Sequence, residues 1–498
     1  MENRKDIHKN GLPRTFVKRY NTRVNRDTSR VITLPLMPDI SRIPGITDRV
    51  LRLPERKAKG LLQNIYNEFA SRHKNIEKVF LENYDRISEY ITYKGNISII
   101  KKLLTGAYFT MEYSIESAAL FNPSIVPHPD QTGVRAGCLR FIMSLRATGE
   151  GHISSIVFRS GMINSRGSIQ FDPLSHFVET PRIRYDKTYD RHLFRLKLLE
   201  VNAWSDTSSF VLDRMAERFT FKELRTVISE LLQERPNDID DEAIRNIYWL
   251  ADSNYFINFE SHNDISERVI FPISKNESRG IEDARFVMFT DDDGEVTYYA
   301  TYTAFNGVCI LPILLKTTDF IDFDIMTLNG KAVQNKGMAL FPRKINGKYV
   351  MLSRQDGENN YIMFSDHLHF WQEAKIIQRP TSPWEFLLLG NCGSPIETSE
   401  GWIVLTHGVG PMRQYSIGAI LLDLEDPSKM IARLEEPLLM PNKEEREGYV
   451  PNVVYSCGSL IHHNMLIIPY AMSDITSGFA TVKVRDLLDS MKPCKISV

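Results

Sequence analysis

A loose repeat of apolar, β-rich stretches is the feature that most constrains the fold of this chain. Five such stretches can be stacked, and they begin at Gly137, Gly294, Gly347, Gly401 and Asn464. The starts of the last four are 53, 54 and 63 residues apart. This spacing leaves room for about four short strands per unit, which is typical of a β-propeller blade. The sequence therefore predicts an all-β core folded as a five-bladed β-propeller.

Two regions replace this pattern with apolar residues at helical spacing. The first runs from Glu55 to Leu104, where apolar residues recur three, four and seven positions apart. The second separates the first repeat from the second and covers residues 172–260. We therefore expect an N-terminal arm and helical extension at residues 1–110 and a propeller domain at residues 111–498. A helical insertion at residues 172–260 is expected between blades one and two.

Composition and charge narrow the class of protein. The 498 residues are 42% hydrophobic and 25% charged, as in a globular chain with a large core. A formal net charge of -1 gives no bulk attraction to nucleic acid or to an anionic membrane. The N-terminus lacks the apolar core of a secretory signal, and no run reaches the roughly 18 apolar residues that span a bilayer. We expect a cytoplasmic protein that has neither nucleic acid nor membrane as a partner.

The cysteine and histidine patterns argue against a metal site and against a disulfide framework. The five cysteines lie far apart without a CxxC pair: Cys138, Cys309, Cys392, Cys457 and Cys494. The paired histidines, His367 with His369 and His462 with His463, lack the neighbouring ligands of a metal site. No Walker loop or GxGxxG motif occurs. We expect core-packed thiols, no metal and no nucleotide cofactor.

Polar groups close the repeated strands at matching positions. Stacking the five stretches aligns Arg146, Thr303, Arg354, His407 and Asp474 near equivalent strand ends. A propeller brings the inner strands of all blades to one axial funnel, and polar groups are costly to bury there without partners. We therefore expect a wet, ligand-binding centre. Basic groups in it suit an anionic ligand, since arginine presents a planar fork to phosphate.

Two adjacent acidic residues precede the second repeat, at the expected start of blade two. Glu282 and Asp283 lie in the segment GIEDAR, directly before the apolar stretch FVMFT. On spacing alone, a carboxylate beside an arginine is more often a plain ion pair than a catalytic acid. The pattern by itself leaves both interpretations open.

Eight ordered segments carry a further signal. They are FNPSIV from Phe121, GIEDAR from Gly280, NKGMALFPRKINGKYVMLSR from Asn335, SDHLHFW from Ser365, GWIVLTHGVG from Gly401, YSIGAILLDLEDP from Tyr415, GYVPNVVYSCG from Gly448 and YAMSD from Tyr470. Together they resemble glycoside hydrolase family 130, the mannoside phosphorylases and β-mannosidases, over residues 115–485. The family fold implied is a five-bladed propeller, in agreement with the repeat count. The helical regions fall outside the resemblance and are candidates for governing substrate length and homo-oligomer formation.

The resemblance implies an inverting β-mannoside phosphorylase. In that reaction inorganic phosphate, a co-substrate, attacks the anomeric carbon of a terminal β-mannosyl residue of a manno-oligosaccharide and releases α-mannose 1-phosphate. The general acid falls on Asp283, whose proton would reach the leaving oxygen through the 3-hydroxyl of the mannosyl ring. One carboxylic acid suffices because phosphate is already a nucleophile, so no further cofactor is expected.

The resemblance also implies the other site residues. Phosphate-binding positions match Lys336, Arg354, His407 and Tyr415. Sugar-binding positions match Asn122, Arg146 and Asp474. Turn formation is the alternative role for Asn122, which precedes a proline, and core packing is the alternative for Tyr415.

Two departures from the family pattern affect this expectation. Ala284 replaces the proline that commonly follows the Glu-Asp pair, and Gly337 replaces an acidic neighbour of Lys336. The phosphate-binding cations favour phosphorolysis, whereas Asp356 and Glu358 leave open an inverting β-mannosidase that activates water. A noncatalytic carbohydrate-binding propeller is the alternative of another class.

Overall fold

A computed structural model describes residues 17–184, 187–200, 203–235, 239–307 and 310–494. Most of the predicted N-terminal arm, residues 1–16, and Cys309 lie outside the described residues. No helix in the described part of the chain is long and apolar enough to cross a bilayer. Cys138, Cys392, Cys457 and Cys494 are all free thiols, and two of them, Cys392 and Cys457, are buried.

The N-terminal part of the fold places four helices between paired strands. It contains β1 (Lys18–Val24), β2 (Val31–Pro35), α1 (Ile43–Leu51), α2 (Glu55–Phe69), α3 (Ile76–Ile87), α4 (Ile99–Tyr108) and β3 (Thr110–Ser114). The helices bury an apolar cluster that includes Leu62, Phe80 and Leu103, as their sequence spacing predicts. Because β2 pairs antiparallel with β3, the helices form an excursion from a two-stranded ribbon.

The first large sheet contains the repeat that begins at Gly137. Its first strands are β4 (Ala119–Pro127), β5 (Leu139–Thr148), β6 (Ser154–Ile163) and β7 (Ile169–Phe171). The chain then forms β8 (Arg182–Arg184), β9 (Thr188–Asp190), α5 (Arg191–Glu200), α6 (Asp206–Asp213), β10 (Arg218–Thr220), α7 (Phe221–Glu234), α8 (Asp241–Asp252), β11 (Tyr255–Asn258) and β12 (Val269–Ile270). The helical insertion has its own apolar core, in which Phe194, Phe219 and Leu224 are buried.

The sequence predicts that the insertion lies between two complete blades, one and two. The structure differs, because the first sheet is not complete when the insertion begins. After it, β12 returns to pair with β6 of the first sheet, while β8 and β11 extend the second sheet. The insertion therefore interrupts the first sheet and borders the second. Sequence periodicity misses β12 because this strand consists of only Val269 and Ile270, too short to show a period of two.

Four further antiparallel sheets repeat the same meander. The second contains β13 (Ile281–Thr290), β14 (Val296–Phe305), β15 (Ile310–Thr317) and β16 (Asp322–Thr327), and the third contains β17 (Lys336–Leu340), β18 (Tyr349–Arg354), β19 (Asn360–Ser365) and β20 (Ala374–Gln378). The fourth contains β21 (Leu388–Asn391), β22 (Ile396–Thr398), β23 (Gly401–Val409), β24 (Tyr415–Leu422) and β25 (Met430–Arg433). The fifth contains β26 (Val454–Tyr455), β27 (Leu460–His462), β28 (Met465–Met472) and β29 (Thr476–Lys483), and the chain continues through α9 (Val484–Asp489) to β30 (Lys492–Pro493), which pairs with β25. The five predicted repeats form β5, β14, β18, β23 and β28, the second strand along the path of each sheet.

Strand β1 completes the fifth sheet from the N-terminal side of the chain. It pairs antiparallel with β29, from Lys18 opposite Thr481 to Val24 opposite Ser477. The predicted division at residue 110 therefore does not hold for β1, which belongs with the sheets. The segment KRYNTRV is polar and half-exposed, so its sequence carries little sign of this pairing.

Apolar clusters join the five sheets in chain order. The first and second sheets meet through Phe158 and Phe286, whose ring centroids are 6.0 Å apart. Corresponding clusters lie between the second and third, third and fourth, and fourth and fifth sheets. A fifth cluster joins the last sheet to the first, where Phe479 lies 5.8 Å from Phe171. Each sheet therefore packs between two others and buries apolar side chains on both faces.

A buried charge network fixes the turn after β1 to the first sheet. The carboxylate of Glu116 is fully buried and accepts hydrogen bonds from Nε of Arg30 at 3.0 Å and Nη2 of Arg159 at 2.7 Å. Burial and the neighbouring Arg159 lower the pKa of Arg30 to about 10. One carboxylate thus compensates two buried guanidinium groups.

We expect Glu116→Gln to lower the free energy of unfolding by about 3–5 kcal/mol, because it leaves buried cations without their counter-charge. Denaturant titration followed by tryptophan fluorescence measures the change. Glu68→Gln, at an exposed position of α2, is the matched control. Equal stability of the two variants would contradict the role assigned to Glu116.

Candidate active site

The first strands of three sheets share a local irregularity. The pairing register shifts within β4, β13 and β17, which marks a β-bulge in each. The residues with positive φ at these bulges are Asn122, Asp283 and Gly337, at 49°, 55° and 85°. Bulges redirect side chains, and positive φ is strained for a residue other than glycine. In all three sheets, therefore, a bulge changes the direction of side chains from the one that regular strand alternation would give.

The bulges meet at a cavity of about 200 Å³. Its lining includes all eight predicted site residues: Asn122, Arg146, Asp283, Lys336, Arg354, His407, Tyr415 and Asp474. All five sheets contribute to it, since β4 and β5, β13, β17 and β18, β23 and β24, and the end of β28 each supply residues. Of the five aligned strand-end residues, Thr303 alone does not line the cavity; it is buried opposite Glu282.

Several lining residues escape the sequence prediction. They are Glu282, Arg285, Asn391, Arg413 and Tyr455. Glu282 and Arg285 flank Asp283, but simple strand alternation does not place all three at one cavity. The bulge in β13 brings all three residues to the cavity. The GIEDAR segment predicts this arrangement only if a bulge is assumed within it. Arg413 lies in a turn and Tyr455 in a two-residue strand, where no periodicity exists.

Asp283 lies in a strongly cationic environment. Nδ2 of Asn122 donates to its Oδ1 at 2.6 Å, and Nη1 of Arg146 lies 3.5 Å from the same oxygen. Burial would raise the pKa of Asp283, but Arg146, Arg285, the Asn122 hydrogen bond and Lys336 outweigh it and lower the pKa below its usual value. The carboxyl group is therefore ionised at neutral pH, and additional negative charge in the cavity would favour its protonation.

Glu282 bridges two cations on the cavity wall. Its Oε1 accepts a hydrogen bond from Nη2 of Arg146 at 2.9 Å, and its Oε2 accepts one from Nζ of Lys336 at 3.3 Å. Glu282 thus sets the spacing between a predicted sugar-binding residue and a predicted phosphate-binding residue.

His407 acts as a neutral acceptor for Arg354. Its Nδ1 lies 3.1 Å from the carbonyl oxygen of Asn391, so Nδ1 carries the proton and donates it. Nε2 is left to accept a hydrogen bond from Nη1 of Arg354 at 3.2 Å. Burial, followed by the charges of Arg354 and Arg285, lowers the pKa of His407 well below its usual value. The ring therefore orients Arg354 without adding charge.

Four residues that line this cavity each have a buried polar atom without a partner. Within the described residues, Nε of Arg146, Arg285 and Arg354 and Oδ1 of Asn122 are buried and make no hydrogen bond. Leaving such a group unpaired costs about 1–3 kcal/mol, so native proteins rarely keep several together. A ligand with oxygen acceptors and hydroxyl donors would satisfy them.

The cavity carries a surplus of positive charge. Five cations and three carboxylates line it: Arg146, Arg285, Lys336, Arg354, Arg413, Glu282, Asp283 and Asp474. Burial and repulsion from Asp283 raise the pKa of Asp474 to about 6, so the surplus grows as the pH falls. This arrangement suits a dianion held close to the carboxyl groups.

The acidic residues that follow Arg354 lie outside the cavity. The carboxylate of Asp356 accepts hydrogen bonds from the backbone N–H groups of Glu358 at 2.9 Å and Asn359 at 2.8 Å, and from the hydroxyl of Tyr361 at 2.8 Å. Asp356 and Glu358 are both exposed. They close the turn between β18 and β19, so their position gives no support to water activation at Asp283.

Comparison with known proteins identifies the class to which this site belongs. The family model described as beta-1,4-mannooligosaccharide phosphorylase matches residues 240–493. A 1,2-beta-oligomannan phosphorylase from Thermoanaerobacter sp. (strain X514) is 39% identical over 231 residues, which are 43% of this chain and 74% of that protein. A beta-1,4-mannooligosaccharide phosphorylase from Ruminococcus albus is 36% identical over 170 residues, or 32% of this chain and 51% of that protein. The structure of beta-1,2-mannobiose phosphorylase from Listeria innocua with beta-1,2-mannobiose aligns with 75% of this chain and 92% of its own, at a TM-score of 0.46 and 21% identity.

The family model and the two sequence relatives define an enzyme of the mannoside phosphorylase class. The chain belongs to glycoside hydrolase family 130. The family match begins at residue 240, so Asn122 and Arg146 lie outside it, together with the N-terminal helices and most of the helical insertion. The other six predicted site residues lie inside it.

The titration of Asp474 makes anion binding depend on pH. Its pKa is raised to about 6, so its negative charge is lost as the pH falls from about 7.5 to 5. Sulfate stays a dianion over this range and His407 stays neutral, so we expect sulfate to bind roughly tenfold more tightly at the lower pH. Isothermal titration calorimetry measures the affinity.

The matched pair is Asp283→Asn, which keeps the titration of Asp474, and the double variant Asp283→Asn/Asp474→Asn, which should bind sulfate with an affinity that hardly changes with pH. A double variant that gains as much affinity on acidification as Asp283→Asn would show that another group titrates.

Proposed function

We propose that this protein is an inverting phosphorylase of terminal β-mannosyl residues in manno-oligosaccharides, with inorganic phosphate as nucleophile and α-mannose 1-phosphate as product. One observation carries the proposal: Asp283 lies in a small cavity with a surplus of cations and with three arginine Nε atoms that lack partners. Relatives that are themselves named as mannoside phosphorylases support this reaction.

The third and fourth sheets would hold the phosphate. Lys336 and Arg354 stand opposite each other on β17 and β18, and His407 orients Arg354. The ring of Tyr415 stacks on that of His407, with centroids 6.0 Å apart, and Tyr415 lines the same cavity, so its hydroxyl would be a further phosphate ligand. Cations and donors at these positions would offset the repulsion between a dianion and the carboxylates and would orient the attacking oxygen.

Asp283 would be the general acid. A bound phosphate dianion would offset the cations that lower its pKa, so the carboxyl group would take up a proton from solvent as phosphate enters. A phosphate oxygen then bonds to the anomeric carbon while the glycosidic C–O bond breaks. The proton passes from Asp283 through the 3-hydroxyl of the mannosyl ring to the leaving oxygen, which departs as a hydroxyl group.

The first, second and fifth sheets would bind the sugar. Asn122 and Arg146 already contact Asp283, and Asp474 repels it electrostatically, so all three lie around the proton donor. Hydroxyl groups of a mannosyl ring would pair with Oδ1 of Asn122 and with the carboxyl of Asp474. We propose a β-1,2 linkage, because the relative that is 39% identical is named a 1,2-beta-oligomannan phosphorylase.

The five sheets would be the blades of a five-bladed propeller around this cavity. Two observations support the arrangement: apolar clusters join each sheet to the next and the fifth to the first, and all five sheets supply lining residues. A cytoplasmic location is proposed from the free thiols Cys138, Cys392, Cys457 and Cys494, since thiols persist in a reducing compartment.

Incubation with β-1,2- and β-1,4-linked manno-oligosaccharides, with and without inorganic phosphate, tests the reaction. We expect α-mannose 1-phosphate only when phosphate is present, and we expect Asp283→Asn to lower the rate by about a hundredfold or more because the proton donor is lost. Free mannose formed equally well without phosphate would instead identify an inverting β-mannosidase. Substrate binding without any product would identify a carbohydrate-binding protein.

Arg354→Ala tests the phosphate site. Loss of its charge and of the fork held by His407 should raise the KM for phosphate about tenfold or more, with a much smaller effect on the KM for the sugar. Arg343→Ala is the matched control, because it removes a partly exposed ion pair between the loop that joins β17 to β18 and Glu397 of the fourth sheet. A parallel rise in both Michaelis constants would rule out Arg354 as a phosphate ligand.

A further inference from the structure

A second cavity lies between the helical insertion and the second sheet. We call it the lateral cleft. It measures about 820 Å³, against about 200 Å³ for the cavity at Asp283. Its lining comes from β9 and α5 of the insertion, from β11 and β16 of the second sheet, and from His367 and His369. None of the residues assigned to the proposed reaction lines it.

The lateral cleft lies at the same end of the second sheet as Glu282 and Asp283. Glu282 in β13 stands opposite Thr303 in β14, which stands opposite Pro312 in β15. Thr327 in β16 lines the lateral cleft and stands opposite Ile313, the residue after Pro312. Three steps between neighbouring strands, of about 4.8 Å each, separate the two cavities by roughly 15 Å. A short chain of sugars can span that distance.

The charges in the lateral cleft are balanced, unlike those around Asp283. Three basic and three acidic residues line it: Lys187, Lys197, Arg218, Asp190, Glu217 and Asp324. The two buried lysines already have partners, because Nζ of Lys187 donates to Asp324 and Nζ of Lys197 donates to Glu200 at 2.8 Å. Because both buried lysines are paired with carboxylates, neither offers a free positive charge to an anion. The lateral cleft therefore favours an uncharged ligand.

The remaining lining groups combine ring faces with neutral polar atoms. Phe256 is partly exposed, and Nζ of Lys187 lies 5.3 Å from its ring centroid. Burial and the neighbouring His367 lower the pKa of His369, so its ring is uncharged at neutral pH. Thr188 and Asn254 supply hydroxyl and amide groups to the same lining. The partly exposed ring of Phe256 beside such donors and acceptors suits a polyhydroxylated ring, whose C–H face is apolar and whose rim is polar.

We propose that the lateral cleft is a second carbohydrate-binding site, which holds the part of a long neutral manno-oligosaccharide remote from the cleaved bond. The identity of the sugar rests on the proposed function. The cavity at Asp283 has room for the terminal residue and phosphate, so the rest of a longer chain lies outside it. The lateral cleft would bind that remainder and give the enzyme a preference for long substrates.

Thr188→Trp tests the proposal, because Thr188 is an exposed lining residue and an indole there would occupy part of the lateral cleft without removing a buried side chain. We expect the KM for a β-linked mannohexaose to rise about tenfold, with the KM and kcat for the disaccharide unchanged. Thr226→Trp, at an exposed position of α7 outside the lateral cleft, is the matched control and should change neither. Equal Michaelis constants for mannohexaose in the two variants would overturn the proposal.

Calorimetric titration with mannohexaose separates this proposal from the proposed function. If the unaltered enzyme turns over neither sugar with phosphate, the proposed reaction fails. The lateral cleft is then supported only if mannohexaose binds the unaltered protein and Thr226→Trp but not Thr188→Trp. Absence of binding to all three proteins, or equal binding to all three, overturns the proposal.

Discussion

The structure depends on the mutual attraction of carboxylates and cations brought to one point by five sheets. The cations of the cavity would repel one another if Glu282 and Asp283 did not stand between them. The carboxylates compensate only part of that charge, which leaves room for one more anion. The carboxylates neutralise enough positive charge for the folded state to be stable. The positive charge that remains can bind an anionic ligand. The apolar clusters between the sheets supply the rigidity that keeps like charges together.

Backbone strain is part of the same arrangement. Asn122 and Asp283 adopt positive φ in bulges, and their side chains hydrogen bond to each other across two sheets. Gly337 occupies the equivalent place in the third sheet, where a Cβ atom would lie 3.2 Å from the Cβ of Arg354. Glycine therefore leaves Arg354 undisturbed at a position where the family commonly has an acidic residue.

Residue patterns predict the core of this fold because the information is local. Each apolar repeat became the second strand of a sheet, and four of the five aligned strand-end groups, all except Thr303, line one cavity. Pairings across long stretches of chain escape such patterns. Strand β12 is too short, and strand β1 too polar, for the sequence pattern to predict which strand each pairs with. Glu282 and Arg285 were missed for a related reason, since a bulge overrides the alternation that a strand pattern assumes.

The pairing of β1 with β29 has a consequence for synthesis on the ribosome. The strand KRYNTRV emerges first, yet its partner emerges only after all the other large sheets have been made. The fifth sheet therefore stays incomplete for most of translation, and its contacts with the first sheet form last. Contacts of such long sequence separation are slow to form. An unpaired apolar strand would be prone to aggregation during this time. The polar residues of β1 reduce that hazard while the rest of the chain is synthesised.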